Sequence, residues 1–93
     1  MKLFKTNGRY KLHNEGFHYI AEFNVNFHDK QVFGALRRFL LDKYGSSMIL
    51  SKHDRAFGSV INDVWRWEII GKKSRRIYVK NENIITFAML MIS

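Results

Sequence analysis

Between residues 72 and 80, five of nine side chains are basic and none is acidic: Lys72, Lys73, Arg75, Arg76 and Lys80. Cations this dense on a hairpin bridge phosphates along a nucleic-acid backbone, and each phosphate neutralised releases condensed counterions, so that affinity falls with salt. Strand alternation puts Tyr78 on the side of Arg76 and Lys80. A solvent-facing ring among cations stacks unpaired bases; a Tyr78 turned to the core would leave only a solvated cationic turn. Arg66 extends the patch if the neighbouring strand's register brings it to the same face. A second cluster, Lys2, Lys5, Arg9 and Lys11, precedes the first acid, Glu15. Nucleic acid is the stronger reading if the two clusters converge, and solubility alone if they lie apart.

Catalytic chemistry has one candidate segment. His53, Asp54 and Arg55 place a general base, a carboxylate and a cation together, a set with which an RNA-cleaving site activates a 2′-hydroxyl and stabilises charge on phosphorus. Neighbours in an extended chain point opposite ways, so adjacency alone assigns no catalytic residue, and a binding protein is expected rather than an enzyme. His13, His18 and His28 have no paired ligand spacing on a predicted helix, and cysteine is absent. No zinc site, thiolate site or disulfide is therefore expected. With no phosphate-binding glycine loop, dinucleotide fingerprint or serine-nucleophile motif, no cofactor is expected either.

The charge balance points the same way. Sixteen Lys and Arg against eight Asp and Glu give a formal net charge of +8 and a pI near 10.1. Such an excess concentrates polyanions at the surface and speeds encounter with them. The expected partner is RNA or single-stranded DNA; an acidic surface on a larger protein is the alternative, and a small ribonuclease-type toxin the third reading. The first thirteen residues alternate basic with apolar side chains and lack the pattern of a secretory signal, so a cytoplasmic location is expected. The longest apolar run, residues 84–92, is too short to span a bilayer as a helix, and no membrane partner is expected.

The elements that position these groups follow from composition and period. Ninety-three residues, 46% hydrophobic and 15% aromatic, supply one core and one compact domain over residues 1–93. Asn7-Gly8 suits a type I′ turn joining strands at 2–6 and 9–13, and Asn14-Glu15-Gly16 makes a second turn. In residues 17–27 the odd positions are apolar and the even ones polar except for Ile20, which predicts a strand with one buried face. Asp29 then caps a helix whose stripe, Val32, Phe33, Leu36, Phe39, Leu40 and Tyr44, runs to Gly45. A short strand is predicted at 47–51, a connection at 52–63, and a strand at 64–70 with Trp65 and Trp67 on one side and Arg66 and Glu68 on the other. A polar turn at 71–74, a strand at 75–80, a turn at 81–83 and a buried strand at 84–92 complete the chain. The predicted class is α+β, an antiparallel β-sheet packed against one amphipathic helix in the order β-β-β-α-β-β-β-β, with an exposed sheet edge that could pair two copies into a homodimer.

Trp65-Arg66, then Arg75, Ile77 and Tyr78, and finally Ile84-Ile85 resemble the terminal hairpins of RelE/ParE-type toxins. The resemblance covers a minor part of the chain. Three predicted strands and one helix stand where that family has two helices, and Met89-Leu90-Met91-Ile92-Ser93 carries none of the basic or aromatic groups that its ribosome-dependent members place there. Membership is not inferred.

Overall fold

The computed structural model describes residues 1–24, 26–45, 64–72 and 74–92. The strand predicted at 47–51, the 52–63 connection with His53, Asp54 and Arg55, and Lys73 lie outside the described residues. The rest forms an α+β fold: β1 (Lys2–Lys5), a 3-10 helix (Lys11–Glu15), β2 (Tyr19–Asn24), α1 (Phe27–Tyr44), β3 (Trp65–Ile70), β4 (Ser74–Val79) and α2 (Glu82–Ile92). All strand pairs are antiparallel, in the order β1-β2-β4-β3. β1 is four residues long with lysine at each end, a short charged form that resists addition of another strand.

The predicted 9–13 strand is instead a turn followed by 3-10 helix. A type I′ turn needs positive φ at both central residues, and neither Asn7 nor Gly8 has it. The Asn7 side chain instead accepts the Arg9 N–H at 2.9 Å, and the Asn7 carbonyl accepts from Tyr10 at 3.0 Å, a local turn that steers the chain away from strand pairing. Gly16, at φ 95°, closes the 3-10 helix by donating its N–H to the His13 carbonyl, in a left-handed conformation that a side chain would strain.

β2 keeps the predicted alternation over a shorter span. Phe27, expected at the strand's end, opens α1 and is 77% exposed. The cap is Asn26 rather than Asp29: its side chain accepts the Asp29 N–H at 2.7 Å. Asp29 therefore sits inside the first turn, where its buried carboxylate accepts the Asn24 N–H at 2.9 Å and meets the N-terminal ammonium at 3.1 Å. It ties the end of β2 to the start of α1.

The helix α2 replaces the strand predicted at 84–92. A continuous apolar run satisfies either period, and here Ile85 and Ala88 are buried while Ile84, Met89 and Ile92 pack beside them, the spacing of a helical stripe. α1 and α2 together cover one sheet face. Their core joins Ala21, Phe23, Ile77, Val79 and Trp65 to Phe33, Leu36 and Leu40. Each fully buried aliphatic side chain here contributes about 1.5–3 kcal/mol.

Two outcomes test this assignment. Thr86 is exposed within α2; Thr86→Pro should cost about 3 kcal/mol by chemical denaturation because it removes a helix bond and clashes with the preceding turn, whereas Thr86→Ala should be near neutral. The second concerns acid. The Asn24 N–H first, and then the N-terminal ammonium, hold the Asp29 carboxyl below its ordinary value of 3.8. A carboxyl depressed by folding stabilises the fold above that value and ceases to as pH falls through the lower, folded one. Stability measured against pH should therefore drop below 3.8 in the parent and run flatter in Asp29→Asn.

Candidate nucleic-acid interface

The helices leave the second sheet face to the chain between β1 and β2. Ile20, the one apolar residue on the face expected to be wet, is buried there with Leu12, Phe17 and Tyr78, and Phe4 and Tyr10 pack against them. The register sets charge across this hydrophobic patch. Lys2, Glu22, Arg76 and Glu68 form one cross-strand row, and Phe4, Ile20, Tyr78 and Arg66 the next. Directly opposite residues on one face are within contact distance, so cation and carboxylate alternate across the sheet.

Three of the predicted site residues are thereby turned inward. Arg66 is 7% exposed, bonds Glu15 at 3.1 Å and lies over the Phe17 ring at 4.9 Å. Arg76 is half-buried, pairs with Glu22 at 2.9 Å and lies over Tyr10 at 5.6 Å. Tyr78, at 4% exposure, donates its hydroxyl to Glu68 at 2.6 Å. Burial, and then that hydrogen bond, push the phenol well above its ordinary value of 10.0. The ring thus belongs to the core and presents no stacking face. Its polar tip is satisfied by a carboxylate, as a buried tyrosine requires.

The remaining predicted residues divide between the two ends of the sheet. Lys72 is exposed at the β3–β4 turn. Arg75 lies on the helix-covered face, half-buried with its guanidinium 5.7 Å from the Phe33 ring. At the far end the last register row is Lys5, Tyr19, Val79 and Trp65. Lys5 is exposed there; Arg9 is exposed in the turn that leaves β1 at that end, and Lys80, also exposed, follows β4 with its ammonium 5.4 Å from the Phe17 ring. Lys11 opens the 3-10 helix. The 72–80 cluster is therefore split by strand alternation and by length, and its last member joins part of the amino-terminal cluster.

That far end carries groups that the residue spacing did not bring together. Thr6 and His18 pair through a backbone bond of 2.8 Å, and His13 reaches the Thr6 hydroxyl at 2.7 Å. The His13 and His18 rings lie 4.8 Å apart. Beyond Lys80, Asn81 and Asn83 meet Lys43, Tyr44, Ile84 and Phe87 in an open cleft of about 400 Å³ between the end of α1 and the start of α2. Ile20, out of phase with its strand, was the visible sign that something covers this face. Nothing in the spacing marked the histidines, which meet only because the chain reverses at Gly16.

No protein-family model, curated protein or solved structure matches this chain. Among the described residues no helix is long and apolar enough to cross a membrane. The site's chemistry therefore rests on its own geometry.

The buried pair of Tyr78 and Glu68 gives a direct check. Tyr78→Phe leaves the half-buried carboxylate without its donor and should cost about 1–3 kcal/mol in denaturant unfolding; a stability equal to the parent's would show that the hydroxyl is dispensable.

Proposed function

We propose that the protein binds single-stranded nucleic acid, RNA foremost, at the end of the sheet that holds Lys5, Arg9 and Lys80. The observation that carries this reading is a segregation of charge. Glu15, Glu22 and Glu68 are held by Arg66, Arg76 and Tyr78, whereas Lys5, Arg9 and Lys80 are exposed and have no carboxylate partner among the described residues. Three of the carboxylates that would repel a phosphate are engaged against the sheet and the cations that would attract one stand at its rim, where the exposed Glu82, opening α2 two residues beyond Lys80, remains among them.

The cleft beside Asn81 completes the reading. Aromatic rings and side-chain amides next to a cation suit an unstacked base, with the ring offering a face and the amides its hydrogen bonds. Lys43 lies 5.8 Å from the Tyr44 ring and 4.6 Å from Phe87. Phosphates would track Lys80, Lys5 and Arg9 while a base enters between the helices. A cytoplasmic setting, where RNA is abundant, belongs to the same reading.

Fluorescence anisotropy with a labelled poly(U) oligonucleotide across a salt series tests it. Log affinity should fall linearly with log salt, and Lys5→Glu with Lys80→Glu should weaken binding and flatten the slope by about 0.7 for each phosphate no longer neutralised. Lys30→Glu with Arg38→Glu, at exposed positions of α1, makes the same change in net charge; this control should leave the slope nearly unchanged. Absence of binding at low salt, or an equal loss for the control with matched charge change, would overturn the proposal and return the basic rim to an acidic protein partner.

A further inference from the structure

We infer that His13 and His18 form a binding site for a borderline divalent metal ion of the Zn²⁺ type, independent of whether the protein binds nucleic acid. The argument begins with one hydrogen. The Thr6 hydroxyl, in a buried residue, donates to the Phe17 carbonyl at 2.9 Å. A hydroxyl has a single hydrogen, so the 2.7 Å contact between Thr6 Oγ1 and His13 Nδ1 must be made with the imidazole as donor. The Nδ1–H tautomer of His13 is thereby selected, and in the neutral ring Nε2 is the atom that carries a lone pair. Metal-binding histidines are oriented in this way, with the non-ligating N–H donated to a fixed oxygen.

His18 supplies the second ligand. It is exposed, and neither of its ring nitrogens has a hydrogen-bond partner among the described residues. Its ring centre lies 4.8 Å from that of His13 with the planes inclined by 39°. Nitrogen–zinc distances of about 2.0–2.1 Å bring the centres of two imidazoles sharing one ion to roughly 5 Å at angles near tetrahedral. The observed spacing fits a shared ion.

The surroundings specify what kind of site this is. No cluster of three or more His, Cys, Asp or Glu side chains able to hold a metal occurs among the described residues, so an ion on these two imidazoles keeps positions open to water or an external oxygen. Glu15 is turned away to Arg66, and the Lys80 side chain runs past Gly16, two residues from His18. The Lys80 ammonium opposes the charge of the ion itself and attracts an anion, such as hydroxide or a phosphate oxygen, into the open positions, so the ion should bind more tightly together with an anionic ligand than alone.

Isothermal titration of the full chain with ZnCl₂ tests the site. One ion per chain should bind at sub-millimolar Zn²⁺, and His18→Ala, at an exposed position, should weaken it about tenfold or more. Thr6→Val, which removes the oxygen that fixes the His13 tautomer, should lower affinity by about 10- to 100-fold, the range seen when groups that orient a ligand are removed. Should Thr6→Val fail to fold, His18→Ala decides alone, with circular dichroism confirming its fold. Zinc binding unchanged in His18→Ala, or no binding up to millimolar Zn²⁺, would overturn the inference. Loss of nucleic-acid binding in Lys5→Gln/Arg9→Gln, at exposed positions that the zinc site does not use, with zinc affinity retained would separate this site from the one proposed above.

Discussion

A sheet this small has to hide both faces, and among the described residues two α-helices are there to do it. The helices take one face, and the stretch from Thr6 to His18 closes the other by laying Leu12 and Phe17 over Ile20 and Tyr78. Much of what distinguishes the molecule follows from that second closure. Strand alternation places Glu22, Arg66, Glu68 and Arg76 on the same face as Ile20 and Tyr78, so covering the apolar residues draws the charged ones into partial burial. Charges withdrawn from water are tolerated only when paired or hydrogen-bonded. The register meets that requirement by setting cations against carboxylates, and the surplus of positive charge is left at the perimeter.

The consequence reaches the surface potential. A formal charge of +8 implies cations everywhere, but the folded chain sorts them. Guanidinium groups over rings, such as Arg66 on Phe17 and Arg37 on Trp67, act as packing elements whose planar faces suit an aromatic surface. Lysines stay outside with their ammonium groups in water while their stems cover apolar atoms, as Lys80 does beside Phe17. The difference between the two cations, rather than their number, shapes the proposed interface.

Much of the architecture was legible in the residues. The alternation around Ala21 and Phe23, the stripe through Phe33, Leu36 and Leu40, and the β3–β4 hairpin with both tryptophans facing the helices all come from period alone. The failures have equally local causes. Residues 84–92 are apolar without interruption, so no periodic contrast separates strand from helix, and only contact with α1 decides between them. Asn7 had two ways to turn the chain and took the one that uses its side chain. At the site, the sequence supplied the cations but not their partners: Arg66 meets Glu15 from 51 positions away, and Arg76 meets Glu22 from 54. Pairing at such separations is a property of the closed sheet and leaves no mark in either segment.

The strand order also bears on how the molecule comes into being. β2 and β4, the two inner strands, are neighbours in space although α1 and β3 lie between them in the chain. During synthesis β2 has only β1 to pair with until β4 emerges from the ribosome, and a two-stranded ribbon is marginal in water. Closing so long a loop is entropically costly and slow compared with forming a helix or a hairpin. The nascent chain therefore holds Phe23 and Ile20 without their β4 neighbours until residues 74–79 have been made.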